Sequence, residues 1–223
     1  MRLRKRPWVK DEIFQYTSYS VKDPTQLKGK WQEWFGNQNP IHIELGTGRG
    51  QFITTLAKRN PLINYIAIEQ KQEVLVQAVR KAVHFELNNI KFILGNVNNL
   101  LNFFGEQEIS RIYLNFIDPW PKKRHAKRRL THHLFLKMYK QILVDSAEIH
   151  FKTDNELLFE FSLNELSGHH FQLKNISLNL YRDEEEIENH VQTEYEEKFI
   201  NQGKPIYRLE AKWLGTNQKN WRN

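Results

Sequence analysis

From Ile41 onward, short apolar runs alternate with longer amphipathic stretches. The runs Ile41–Leu45, Tyr65–Ile68, Lys91–Leu94, Arg111–Ile117 and Glu148–Phe151 have the length and apolar content of strands. Between them, Gln51–Lys58, Val74–Leu87, Leu134–Val144 and Glu156–Leu166 read as helices, the first stopped by Asn60-Pro61. Val74, Val76, Ala78, Val79, Ala82 and Val83 give the second of these a broad apolar face. Two late strands are predicted at Ser177–Tyr181 and Ile206–Trp213. Residues 1–40 read as a basic arm with one short helix, Leu27 to Phe35, carrying Trp31, Trp34 and Phe35 on one side. Residues 41–223 then form one domain. Strands alternating with helices predict an α/β protein with a mostly parallel sheet and right-handed crossovers.

Ligands of such sheets bind beyond the carboxyl ends of the strands. In this chain those ends read Glu44-Leu45-Gly46, Glu69, Gly95-Asn96, Asp118 and Lys152-Thr153-Asp154. Each carries a polar or acidic residue, and chemistry is expected there.

The first is Glu-Leu-Gly-Thr-Gly-Arg-Gly over 44–50. A dinucleotide fingerprint would continue Gly-x-Gly-x-x-Gly, but position 51 is Gln and the third glycine, Gly50, comes one residue early. A carboxylate two residues before Gly46 would repel a pyrophosphate, so Glu44 disfavours a dinucleotide. It suits a cationic ligand such as S-adenosylmethionine, which carries sulfonium and ammonium groups. Glu69, 23 residues after Gly46, is placed to accept from a ribose diol. Asn96 is placed to hydrogen-bond an adenine ring. The plainer alternative is a tight strand-to-helix turn in which the glycines serve only the backbone.

Charge narrows the partner. Lys and Arg number 33 against 26 Asp and Glu, a net of +7. Segment 1–10 holds five of the bases and segment 122–129 six, neither with an acid; the remaining 22 bases face 26 acids, net −4. The positive charge is therefore local, which excludes a histone-like composition and favours a defined anion-binding surface. The second segment follows Asp118-Pro119-Trp120-Pro121 directly. Two prolines stiffen that turn. Asp118 can accept from a nucleobase edge, Trp120 offers a stacking face, and Lys122 to Arg129 can neutralise phosphates. Aromatic and basic residues beside a cofactor pocket point to a nucleic-acid substrate.

Other features constrain less. Cysteine is absent, so disulfides and Cys-ligated metals are excluded, in keeping with a reducing compartment. No apolar run follows the basic N-terminus, so no secretory signal or membrane span is expected. The nine histidines show no metal-ligand spacing, and adjacent His132 and His133 are expected to face different ways on a helix. The acidic stretch Asp183–Glu188 reads as a solvated loop. Thr193-Glu194-Tyr195-Glu196 reads as a capping box, with Thr193 as N-cap and Glu196 three residues on.

The chain resembles the bacterial tRNA (guanine-N7)-methyltransferases over nearly its whole length. The motifs are ELGTGRG at 44–50, YLNFIDPWPKKRHAKRRL at 113–130, IHFKTDN at 149–155, TEYEEKF at 193–199 and GKPIYR at 203–208. The first alone marks only a class I methyltransferase; the second is long and specific. The resemblance implies a Rossmann-like class I fold with seven strands, helices on both faces and one antiparallel strand near the sheet's end. It implies that Glu44, Gly46, Gly48, Glu69, Asn96 and Asp118 line an S-adenosylmethionine site. Lys122, Asp154 and Thr193, Glu194, Tyr195 and Glu196 would contact the substrate nucleotide. Arg124, His125, Ala126, Lys127, Arg128 and Arg129 would hold tRNA. Asn96 departs from the aspartate of many members, but it keeps an acceptor.

The implied reaction methylates guanine N7 in the tRNA variable loop, with Asp118 stabilising the developing charge and no metal. The implied setting is the cytoplasm, as a monomer or homodimer. An exocyclic-amino methyltransferase is the enzymatic alternative; its Asn/Asp-Pro-Pro-aromatic turn differs from Asp118-Pro119-Trp120-Pro121 in the place of the aromatic. A non-catalytic RNA-binding module is the other.

Overall fold

The computed structural model describes residues 6–182 and 190–215. The basic segment 1–10 is thus described only from Arg6, and the acidic stretch 183–188 lies outside the described residues. The chain forms two compact units, residues 1–105 and 106–223.

In the first unit the order along the chain is α1 (Trp8–Gln15), β1 (Ser20–Val21), α2 (Trp31–Phe35), β2 (Ile41–Leu45), α3 (Gln51–Arg59), β3 (Asn64–Glu69), α4 (Gln72–His84), β4 (Ile90–Leu94) and α5 (Leu100–Phe103). The strands lie in the order β1-β4-β3-β2. All three pairings are parallel, with Ile43 opposite Ile66, Ala67 opposite Phe92 and Ser20 opposite Phe92. Every residue of β2 is buried, as expected of a strand covered on both faces. Leu75, Val76, Ala78, Val79 and Ala82 are buried and form the inner stripe of α4.

The N-terminal region is built into this unit. Helix α1 packs on α4, where Arg80 holds Glu12 through hydrogen bonds of 2.7 and 2.8 Å. The Trp31 ring is fully buried, and its Nε1 donates to the Phe103 carbonyl at 2.8 Å. The helix expected over Leu27–Phe35 is divided. A 3-10 turn covers Pro24–Leu27 and α2 starts at Trp31, because Gly29 between them takes a left-handed φ of 74°.

The second unit runs β5 (Ile109–Asn115), α6 (His133–Ile142), β6 (Leu143–Thr153), α7 (Glu156–Gly168), β7 (Phe171–Ser177), α8 (Glu194–Ile200) and β8 (Tyr207–Trp213). Its strand order is β5-β6-β8-β7. β5 and β6 are parallel, while β8 runs antiparallel to both of its neighbours. The reversed strand near the end is as expected. The described residues hold eight strands rather than seven; the two-residue β1 is the addition.

One expected element is displaced. The strand read at Ser177–Tyr181 is β7 at Phe171–Ser177. Pairing with β8 begins at Phe171–Trp213 and stops at Ser177–Arg208, where β8 itself starts. The apolar residues that drew the pattern forward, Ile176 and Leu178, are exposed.

Candidate active site

In the first unit, three strand-end loops are tied to one another. After β2, Gly46 N–H and Thr47 N–H both donate to the Ile68 carbonyl, at 2.9 and 3.1 Å. Gly46, Gly48 and Gly50 all have positive φ, so the turn needs glycine's freedom. A Cβ built on Gly46 or Gly48 meets nothing within 4 Å, which leaves open space over the loop. Gly50 differs: its Cβ would lie 2.4 Å from the Cβ of Ala78, so this glycine lets α4 approach the start of α3. The Glu44 carboxylate is buried and accepts from the Thr47 hydroxyl at 2.5 Å.

Glu69 ends β3 and is half-buried. Its Oε1 accepts from Gln70 N–H and Lys71 N–H at 2.9 and 3.0 Å, and its Oε2 from Gly48 N–H at 3.2 Å. A carboxylate has about four acceptor positions, so Oε2 keeps room for a further donor. Asn96 follows β4; its Oδ1 caps a 3-10 turn by accepting from Asn98 N–H at 2.9 Å. Its Nδ2 lies 3.5 Å from the Gln70 side-chain oxygen. Glu44, Gly46, Gly48, Glu69 and Asn96 therefore stand at or just beyond interlinked strand ends. Open space over two glycines, a buried carboxylate and an anchored acceptor fit a ligand with a cationic end and a ribose diol.

In the second unit, β5 runs out into the Asp-Pro-Trp-Pro turn. Phe116 N–H still donates to the Lys152 carbonyl, at 2.9 Å. Phe116 and Trp120 both take left-handed backbone conformations, with φ of 49° and 42°. Such strain in non-glycine residues persists only where the surroundings hold it. The Phe116 ring stacks with Tyr195 at 6.1 Å and with Phe199 at 5.8 Å, joining the turn to α8. Asp118 is exposed at the crest.

The basic segment folds back on this turn. Lys123–Arg128 forms a 3-10 helix with exposed Lys122 before it. The Arg128 guanidinium lies 4.7 Å over the Trp120 ring, and His125 meets the ring edge-on at 5.8 Å. Arg129 donates from Nε to the Pro119 carbonyl at 3.2 Å and from Nη2 to the Trp120 carbonyl at 3.1 Å. Its guanidinium sits 4.4 Å over Phe161. Arg129 thus braces the turn, whereas Lys122, Arg124, Lys127 and Arg128 are exposed.

Beside the turn lies a buried polar network. The Lys152 ammonium donates to Glu196 Oε2 at 3.0 Å and to the Val191 carbonyl at 3.2 Å. His190 Nε2 lies 2.7 Å from Glu196 Oε1, which also accepts from the Tyr181 hydroxyl at 3.3 Å. The capping box read from the sequence is present: Glu196 N–H donates to Thr193 Oγ1 at 3.1 Å, and Thr193 N–H to Glu196 Oε2 at 2.6 Å. Burial pushes the Glu196 carboxyl up, but the His190 hydrogen bond and the Lys152 charge outweigh it and hold the group at about 2. Glu196 is fully buried with both oxygens engaged, while Glu194 and Tyr195 on the same turn are exposed. Asp154 sits half-buried between β6 and α7, next to the cap Asn155.

The histidine expectation is corrected. His132 is the extended N-cap of α6, its side chain accepting from Leu134 N–H, so helical geometry does not separate it from His133. The two rings lie 4.0 Å apart. Ligand-type atoms of His132, His133 and Glu165 fall within 4.8 Å of one another, as do those of Glu148, His150 and Glu210. Both groups have protein partners that explain them. Glu165 accepts from the His133 backbone N–H at 2.5 Å. Glu148 pairs with Arg111 at 2.6 Å and with His150 at 2.9 Å.

Lys152 stands at a strand end where chemistry is expected, but nothing in its sequence context shows that its ammonium is buried against Glu196. Two further residues of this site were not singled out in the sequence. His190 follows an uninformative acidic stretch. Phe116 reads as strand continuation, although it is the contact that joins the turn to α8.

Comparison with known proteins gives first the class. The fold resembles a solved 16S rRNA methyltransferase, KamB, with a TM-score of 0.62 at 12% identity, covering 83% of this chain and 93% of that one. It also resembles a putative methyltransferase of Streptococcus mutans in complex with SAH, with a TM-score of 0.53 at 14% identity over 94% of this chain and 99% of that one. The fold is that of a Rossmann-like class I methyltransferase. A family described as "Putative methyltransferase" matches residues 38–209. A tRNA (guanine-N(7)-)-methyltransferase of Clostridioides difficile (strain 630) is 57% identical over 95% of this chain and 99% of its own length. The chain belongs to the tRNA (guanine-N7)-methyltransferase family.

Proposed function

We propose that the protein transfers a methyl group from S-adenosylmethionine to N7 of a guanine in the variable loop of tRNA. The observation that carries this reading is the 57% identity to a tRNA (guanine-N(7)-)-methyltransferase over nearly the full length of both chains. When bound, S-adenosylmethionine supplies an electrophilic methyl on a sulfonium. Glu44 faces the donor's cationic end, Glu69 takes the ribose diol through Oε2, and Asn96 orients the adenine. Gly46 and Gly48 keep the loop clear of side chains.

Guanine N7 has an in-plane lone pair and no proton to lose, so no general base is needed. The chain's task is alignment of donor and acceptor. As the N7–methyl bond forms and the sulfur–methyl bond breaks, the positive charge passes to the purine. Asp118 stabilises that charge. Glu194, exposed at the start of α8, accepts from guanine N1–H and its amino group. Glu196 acts behind it with Thr193, holding the helix start and Tyr195 in place. Lys122 and Asp154 contact the nucleotide, and the cations among Arg124, His125, Ala126, Lys127 and Arg128 hold tRNA phosphates. The reading puts the enzyme in the cytoplasm with tRNA as its partner, as a monomer or homodimer. No helix among the described residues is long and apolar enough to cross a membrane.

The test is incubation of unmodified tRNA with isotope-labelled donor, followed by mass mapping of nucleosides. Label in 7-methylguanosine is expected. Label on an exocyclic amine, with none at N7, would overturn the reading in favour of the amino-methyltransferase alternative.

A further inference from the structure

A cleft of about 750 Å³ opens between α3 and α4. It begins at Gln51, the residue after Gly50. Lys58, Arg59, Arg80, Lys81 and His84 line it, and none of its lining residues is acidic. Phe85, 46% exposed as a residue, adds an aromatic ring to the lining. The body of the chain outside its two basic segments is net acidic, so this concentration of cations runs against the local average.

The plain account is helix-dipole compensation, since Lys58 and Arg59 end α3, and Lys81 and His84 end α4. That account explains a cation at each helix end. The packing of α3 on α4 brings the two sets to one surface, but neither account calls for an exposed aromatic ring among them. Internal pairing takes up only part of the charge. Arg80 is neutralised by Glu12 across the rim, and Lys81 donates to the Gln51 side chain at 3.1 Å. Lys58 lies over the Phe85 ring at 4.9 Å, a contact that leaves its charge intact. Lys58 and Arg59 are both exposed.

We propose that this cleft is a second contact for the sugar–phosphate backbone of the RNA substrate, separate in sequence from residues 122–129; the proposal rests on tRNA being that substrate. Lys58 and Arg59 neutralise phosphates, and Lys81 and His84 extend the track. The contact positions the RNA and carries no base specificity.

The test neutralises two charges that have no part in the proposed chemistry, Lys58→Gln with Arg59→Gln. Binding of unmodified tRNA is followed by fluorescence anisotropy over a salt series, beside methylation kinetics. Each lost phosphate contact should lower the slope of log K against log salt by roughly 0.7, so the double variant should lose about 1.4. KM for tRNA should rise about tenfold or more, with kcat and donor affinity near wild type. The charge-conserving pair Lys58→Arg with Arg59→Lys should restore the slope, which a purely structural role would not require. If wild type methylates tRNA and the neutralised variant keeps its slope and KM, the cleft proposal is overturned and the proposed function stands. If wild type neither binds nor methylates tRNA, both are overturned.

Discussion

Asp118 and Arg129 stand eleven residues apart on one turn and do different work. Asp118 is exposed at the crest, clear of the bracing contacts. Asp118→Ala should therefore leave the fold and tRNA affinity nearly intact while turnover falls by roughly 10²-fold or more, the scale of a lost electrostatic stabiliser. Single-turnover rates beside tRNA Kd check this; equal losses in both would make Asp118 a binding residue only. Arg129 and its neighbour Arg128 give a sharper contrast. Arg128 lies exposed over Trp120, so Arg128→Ala should reduce the salt slope of tRNA binding by about one. Arg129 spends its donors on the carbonyls of Pro119 and Trp120. Arg129→Ala should keep most of the salt slope yet lower both the thermal midpoint and turnover, because the strained turn loses its brace. Composition treats these two arginines alike. Only the fold separates an exposed arginine from a strut, because backbone carbonyls as partners leave no mark in the sequence.

Helices and strands were legible where local chemistry decides them. β2 is observed over the residues read for it, and the capping box at Thr193–Glu196 forms as its spacing implies. Elements decided by partners were less legible. β7 ends where β8 begins, and that boundary depends on pairing far along the chain. The third glycine shows the same limit. As a sequence feature Gly50 is a fingerprint glycine one place early; in the structure it is the contact point between α3 and α4. A Cβ there would lie 2.4 Å from Ala78 Cβ and 2.9 Å from its backbone Cα, at a φ of 76°. Gly50→Ala should thus cost about 2–4 kcal/mol, from overpacking and left-handed strain together. Urea unfolding measures it. Adding Ala78→Gly should return only the packing part, and a loss below 1 kcal/mol in the single variant would mean that α4 yields. At the other end of the chain, Thr193→Ala removes one half of the capping box. A loss of about 1 kcal/mol is expected, with KM for tRNA rising because Glu194 and Tyr195 ride on that helix start. Unchanged KM alongside the stability loss would detach α8 from substrate recognition.

For the molecule as a whole, charge governs how stability depends on acid. Glu196 is held at about 2 although burial opposes it. Glu148 is also held at about 2, first by its hydrogen bond from His150, then by Arg111 against the cost of burial. Glu210 is lowered as well: burial raises it, and the neighbouring His150 and Arg208 outweigh that. Each of these carboxyls binds its proton less readily in the folded chain than in the unfolded one. The contribution of Glu148 and Glu196 is therefore fully present above the ordinary carboxyl value of 4.5 and is lost as pH falls through that value toward about 2, and that of Glu210 is lost in the same direction. The basic total of +7 works in the same direction, since protonating carboxylates in acid adds to self-repulsion. Urea midpoints should fall gently from pH 7 to 5, because burial makes His132 and His150 harder to protonate in the folded chain than in the unfolded one, and then drop steeply as the carboxyls protonate. Glu148→Gln separates the specific term from the general one. It removes a carboxylate with a lowered pKa, so the variant should be less stable than wild type at pH 7, and the gap should close as pH approaches 2. Two curves that stay parallel throughout would show that Glu148 contributes the same whether charged or not, and the acid response would then belong to net charge alone.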